Sequence, residues 1–160
     1  MSQKKPSLPT STRPERLVVD ANPILSALLG GAARRVFFET DIQEFAVSQS
    51  VLDEVKAHIP TLALKLRLGK EFLFYAVELL PLTVYGSQVY GHCIVEARRR
   101  IAHRDPDDVD TLALTLRLRI PLWTNDRDFE NTGVDCLTTA RLLAIFFGKS
   151  DQKLPPVTGK

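Results

Sequence analysis

The chain is poor in cysteine: Cys93 and Cys136 are the only two in 160 residues. Two are too few for a disulfide framework; they suit a reducing cytosol and read as small buried hydrophobes. Apolar runs fall well short of the ~20 residues of a membrane helix, and the N-terminus lacks the apolar stretch of a secretory signal. These absences set the expectation of a cytoplasmic protein with no membrane attachment. The three histidines, His58, His92 and His103, share no zinc-ligand spacing. Net charge is only +2, so no overall positive field marks a nucleic-acid binder. There is no internal repeat, and the single tryptophan, Trp123, lies in an apolar segment and reads as core rather than as a base-stacking surface.

What is present is an ordinary globular composition, 44% hydrophobic and 25% charged, long enough for one domain that buries about 68–70% of its unfolded surface. Residues 1–14, rich in Ser, Pro and Lys, are expected to be a disordered tail, residues 15–148 the folded domain, and residues 149–160 a polar tail. Short β-branched or apolar runs, Leu17–Val19, Phe45–Val47, Leu82–Tyr85, Ile120–Thr124 and Val134–Leu137, alternate with segments of helical periodicity. The first helix is expected to be capped by Asn22, with Pro23 at its first position, and to stop at Gly30-Gly31. A second short helix covers 32–39. Ser48 or Ser50 caps a helix that Pro60 should end, and 61–80 holds one long or two short helices. Val89 to Ile101, Val109 to Arg119, and a last helix capped by Thr138 or Thr139 and ended by Gly148 complete the pattern. Strand–helix alternation predicts an α/β fold of three layers, α/β/α, with a central, mainly parallel sheet of four to five strands.

The charge is unevenly placed. Six aspartates crowd the two ends of the stretch from Arg104 to Phe129: Asp105, Asp107, Asp108 and Asp110 before its helix, Asp126 and Asp128 after its strand. Asp20 follows the first strand directly, and Glu54 lies early in the third helix. Each acid alone has a plain reading as a turn residue, a cap or a partner of a helix dipole, and one of Asp107 and Asp108 is expected to cap the following helix. Together they fall where strands end or helices begin on one sheet edge, the edge where open α/β sheets carry their sites. Acids brought together repel unless a cation lies among them, and the cation suited to an all-oxygen set is Mg²⁺ or Mn²⁺. Arg98, Arg99, Arg100 and Arg104 gather near the acidic loop, within reach of phosphate.

In that order these residues resemble PIN-domain proteins, and in particular the VapC-type toxins of toxin–antitoxin pairs. The likeness covers about residues 16–146. It rests on Val18-Val19-Asp20-Ala21-Asn22, on Val51-Leu52-Asp53-Glu54-Val55, on Asp107-Asp108-Val109-Asp110-Thr111-Leu112-Ala113-Leu114, and on Trp123-Thr124-Asn125-Asp126-Arg127-Asp128-Phe129. Each piece is short, but four in order at fitting separations are specific, and no core acid is missing. The resemblance implies an endoribonuclease dependent on Mg²⁺ or Mn²⁺. It gives Asp20, Asp108 and Asp126 as metal ligands, direct or through water, with Asp108 chosen by counting back from Thr124, and Asp107 and Asp110 as its neighbours. Glu54 is implied as a further ligand or as the group that orients the attacking water. Asp128 is implied to hold a second cation or to support the first, and Thr124, Asn22 and Arg104 to face water or phosphate. The implied partners are RNA, a cognate antitoxin protein and a second copy of the chain. A PIN-like module that binds RNA or protein without cutting, or a housekeeping PIN nuclease without antitoxin, is the alternative. A haloacid-dehalogenase-like phosphatase fits poorly, because its second aspartate would fall at Asn22.

Overall fold

The structure, a computed structural model, describes residues 13–101 and 105–151. The order of elements is β1 (Arg16–Val19), α1 (Ala21–Leu28), α2 (Ala33–Phe38), β2 (Glu44–Ser48), α3 (Gln49–Leu66), α4 (Lys70–Leu79), β3 (Leu82–Tyr85), α5 (Ser87–Tyr90), a 3₁₀ turn (Gly91–Cys93), α6 (Ile94–Arg100), α7 (Pro106–Leu118), β4 (Leu122–Trp123), a second 3₁₀ turn (Arg127–Phe129), β5 (Cys136–Leu137) and α8 (Thr139–Asp151). The five strands form one sheet in the order β3-β2-β1-β4-β5, and every pairing is parallel. The expected α/β/α architecture is therefore present.

Alternation along the strands builds two cores. Leu17, Val19, Phe45, Val47 and Trp123 point to one face and pack with α1, α2, α3, α4 and α8. Val18, Ala46 and Leu122 point to the other, where α5, α6 and α7 supply Tyr90, Ala97, Leu112 and Leu114. A parallel sheet covered on both faces needs apolar residues on successive positions, which is why β1 reads Leu-Val-Val without a polar break. The strand order reverses at β1 and β4, so the crevice beyond their C-terminal ends is the switch point of the sheet.

Several helix boundaries differ from those the sequence suggested. Asp20, not Asn22, caps α1, accepting a hydrogen bond from the Ala21 amide, and Pro23 falls inside the first turn, where a missing N–H leaves no bond unmade. Ser48 is the residue that caps α3. Pro60 does not stop α3: it lies on the exposed side, while Val55, Ile59 and Ala63 keep a buried stripe in register, and the helix runs to Leu66 before Arg67 turns left-handed at φ 55°. The helix expected from Val89 is broken at Gly91. α7 starts at Pro106 rather than Val109, with Asp105 as cap and proline at the first position, so neither Asp107 nor Asp108 is the cap. Thr138 caps α8 through the Arg141 amide, and the helix continues past Gly148.

Trp123 is fully buried, its ring centroid 4.8 Å from that of Phe37 and 6.0 Å from that of Phe45, and its Nε1 donates to Thr139 Oγ1 at 3.0 Å. This is a core residue at the heart of one layer. Trp123→Ala is expected to lower stability by about 3–5 kcal/mol, measured by urea unfolding followed in the far ultraviolet, because the substitution removes the only tryptophan. A loss under 1 kcal/mol would contradict the packing role.

Candidate metal centre

The acids meet at the switch point because the backbone delivers them there. Asp20 follows β1, Thr124 follows β4, and Ser48 ends β2 and opens α3. Asp20 is buried at 5% exposure and both oxygens of its carboxylate are engaged, with acceptor capacity left on Oδ1: Oδ1 accepts from the Ala21 amide at 2.8 Å, and Oδ2 from Thr124 Oγ1 at 2.7 Å and Asn22 Nδ2 at 3.2 Å. Thr124 is itself buried, and its Oγ1 also accepts from the Asp126 amide at 3.0 Å, which fixes the start of the next turn. Asp126 accepts from the Asp128 amide at 2.9 Å and caps that turn. Asn22 reaches across as well, its Oδ1 accepting from the Asn125 amide at 3.1 Å, and Asn125 in turn holds the Thr139 amide at 2.9 Å. Asp128 is exposed and has interactions of its own.

A second group lies across from the first. Glu54 of α3, with Asp105 and Asp107 at the head of α7, offers one carboxylate oxygen each within 4.8 Å of one another. The Ser50 hydroxyl donates to Asp107 Oδ1, tying the first turns of α3 and α7 together. Burial drives the Glu54 carboxyl up to about 8, helped by a hydrogen bond to Asp107 and by the charges of Asp107, Asp105 and Asp20. Asp20 is raised for the same leading reason, burial; hydrogen bonds from Thr124 and Ala21 oppose the shift, while the charges of Asp126 and Asp107 add to it. The two groups are therefore one electrostatic unit. No Lys or Arg among the described residues forms an ion pair with Asp20, Glu54, Asp107 or Asp126. A set of crowded oxygen donors with no cationic, His or Cys partner among the described residues fits a hard divalent cation.

On α7, Asp107 stands against Ser50 and Glu54. Asp108, given the third place from the sequence, follows one residue on, about 100° round the helix, half-buried and with interactions of its own. Asp110 turns inward, where Oδ2 accepts from the Tyr90 hydroxyl at 2.7 Å. Arg104 lies outside the described residues. Asp105 was not singled out from the sequence as a site residue, although Asp-Pro at a helix start was a signal for it. Ser50 and Tyr90 carried no signal, because their contacts join elements distant in the chain.

The raised Glu54 carboxyl has a consequence for stability. In the cation-free protein the folded state keeps a proton that the unfolded chain releases above the ordinary value of 4.5. Stability from this group is thus full below that value and is lost as pH rises toward about 8. Glu54→Gln removes the dependence, so its melting temperature is expected to gain on that of the parent chain between about pH 5 and about pH 8. Parallel melting profiles for the two proteins would mean that Glu54 is solvated rather than crowded.

No curated protein matches the chain. Seven chains of solved structures do match it. One is a toxin–antitoxin complex from Klebsiella pneumoniae, at 21% identity and a TM-score of 0.57, covering 77% of this chain and 97% of that one. Another is VapBC2 from Rickettsia felis, bound to a DNA fragment from their promoter, at 13% identity and a TM-score of 0.55, covering 77% of this chain and 98% of that one. At these identities the likeness is one of fold. The family profile described as PIN domain matches residues 18–146, a span that takes in Asp20, Glu54, Asp107 and Asp126, and the chain therefore belongs to the PIN-domain family.

Proposed function

We propose that the chain is a divalent-metal-dependent endoribonuclease that acts as the toxin of a toxin–antitoxin pair. The observation that carries this reading is the crowding of Asp20, Glu54, Asp107 and Asp126 at the sheet's switch point without any cationic side chain to offset them among the described residues. A purely structural edge gains nothing from such repulsion, whereas a cation turns it into binding energy. Membership of the PIN-domain family supports nuclease chemistry, and the toxin–antitoxin complexes among the similar structures support the assignment as toxin.

In this proposal Asp20, Asp107 and Asp126 hold Mg²⁺ or Mn²⁺, with Glu54 and Asp105 at its margin, and Asp128 supports Asp126 from the following turn. When bound, the cation supplies positive charge opposite the phosphate oxygens and makes nearby water more acidic. The protein's own part is orientation and proton handling. Thr124, Asn22 and the Ala21 amide lock Asp20 in one rotamer, so its geometry is set before substrate arrives. Glu54 keeps its proton in the cation-free site; beside a bound cation that carboxyl would be lowered, leaving its oxygen suited to take a proton from the attacking water. The role given to Asp108 by the sequence passes to Asp107 in this reading, because Asp107 shares the Glu54 carboxyl and the Ser50 hydroxyl.

Association with protein partners has support of its own. Leu64, Phe72, Tyr75 and Leu79 on α3 and α4 are 82%, 64%, 72% and 66% exposed, an apolar stripe of the kind that marks an interface. Beside it a groove of about 250 Å³ between α1, α2 and α4 is lined by Leu28, Phe38, Phe72 and Leu79, with Arg34 at its side. A second copy and an antitoxin are the partners assigned to these surfaces.

Cleavage of single-stranded RNA is expected to require Mg²⁺ or Mn²⁺ and to stop with chelator. Asp20→Asn, Asp107→Asn and Asp126→Asn should each reduce it about a hundredfold or more, and Asp108→Asn much less. Mn²⁺ at roughly a hundred times its dissociation constant should stabilise the parent chain by about 2.7 kcal/mol, with most of that gain lost in Asp107→Asn. Undiminished cleavage in excess chelator would sink the metal reading, and a fatal Asp108→Asn beside a harmless Asp107→Asn would return the third place to Asp108. Light scattering is expected to give a dimer that Tyr75→Glu with Leu79→Glu splits; a monomer at high concentration argues against self-association.

A further inference from the structure

Tyr90 is a fully buried tyrosine placed between three elements. It ends α5, its hydroxyl donates to Asp110 Oδ2 on α7 at 2.7 Å, and the Ser48 side chain at the head of α3 lies on the side of the same oxygen. Ser48 also caps α3, accepting from the Val51 amide at 3.1 Å, so its own proton is free to point at Tyr90. Asp110 is three residues beyond Asp107 on α7, close to the same face of that helix. Ser48 is six residues before Glu54 on the other side. Together with the Ser50–Asp107 contact, the run Ser48–Tyr90–Asp110 closes a polar clamp between the starts of α3 and α7.

The clamp acts where the fold is under electrostatic load. The carboxylates of Glu54, Asp105 and Asp107 approach within 4.8 Å, and whenever all three are ionised their repulsion pushes the two helix starts apart. A phenylalanine at position 90 would fill the same space without drawing a carboxylate inward; packing alone does not call for the hydroxyl. We propose that Tyr90 is a positioning residue of the acidic site: by holding Asp110 of α7 against Ser48 at the head of α3, its hydroxyl fixes the separation of the Asp107 and Glu54 carboxylates that a divalent cation would share. The inference rests on the metal-site reading given above.

The test is a calorimetric titration of the full chain with Mn²⁺ alone, beside melting curves recorded without metal. Tyr90→Phe is expected to bind Mn²⁺ on the order of tenfold more weakly, while its metal-free melting temperature stays within about 4 °C of the parent's. Asp110→Ala should show the same loss, Asp110→Asn should recover most of it by restoring an acceptor for the hydroxyl, and Tyr90→Phe combined with Asp110→Ala should bind no more weakly than either alone. If Tyr90→Phe fails to fold, the contrast between Asp110→Ala and Asp110→Asn decides the same question. Equal affinity in the parent chain and Tyr90→Phe, or additive losses in the double variant, overturns the inference and leaves the metal reading intact. A parent chain that binds no Mn²⁺ overturns the metal reading itself.

Discussion

Repulsion among carboxylates held at close range is the constraint around which this fold is arranged. Asp20 is the deepest of them, and its burial is tolerable only because three hydrogen-bond donors, Ala21, Asn22 and Thr124, meet its two oxygens. Each donor belongs to a different duty as well. The Ala21 amide opens α1, Thr124 ends the β4 segment and seats the Asp126 amide, and Asn22 catches the backbone at Asn125. Fixing one carboxylate therefore fixes the relative placement of β1, β4 and the loop that leads into α8. Glu54 and Asp107 complete the load from the other side, and Ser50 and Tyr90 are the polar contacts that hold their helices in place.

The sheet supplies the rigidity that this requires. With β1 central, buried on both faces and paired on both edges, Asp20 is anchored at the end of a fully enclosed strand. Helices on the two faces then separate their tasks. Those on one side bury Trp123, Phe37 and Phe45 in a tight aromatic group, while α7 on the other side carries the acidic start and an apolar body, Val109, Leu112, Ala113 and Leu114, that docks it to the sheet. The exposed apolar stripe on α3 and α4 lies outside both cores, so association through it need not disturb the acidic edge.

Much of this was legible in the chain as written. Short β-branched or apolar runs marked β1, β2 and β3, and the Asp-rich stretch around α7 and β4 marked acids that the fold brings toward one sheet edge. The local endings were less legible. Pro60 reads as a stop, yet an exposed proline removes one hydrogen bond from a helix whose buried stripe has ample apolar contact to carry it through. The start of α7 slipped from Val109 back to Pro106 because proline favours a first helical position and Asp105 caps it.

The sequence by itself determined the class of fold, the parallel sheet and the segments that contribute acids, because hydrophobic period and strand-end position are local properties of the chain. Only the tertiary structure decided that Asp107 meets Glu54 and Ser50, that Asp110 turns inward to Tyr90, and that Thr124 grips Asp20 across 104 residues of chain. Those outcomes depend on the rotation of α7 about its axis and on its distance from α3, and a rotation of about 100° separates neighbouring residues. Nothing in the spacing of one helix sets its phase against another; packing on the sheet does.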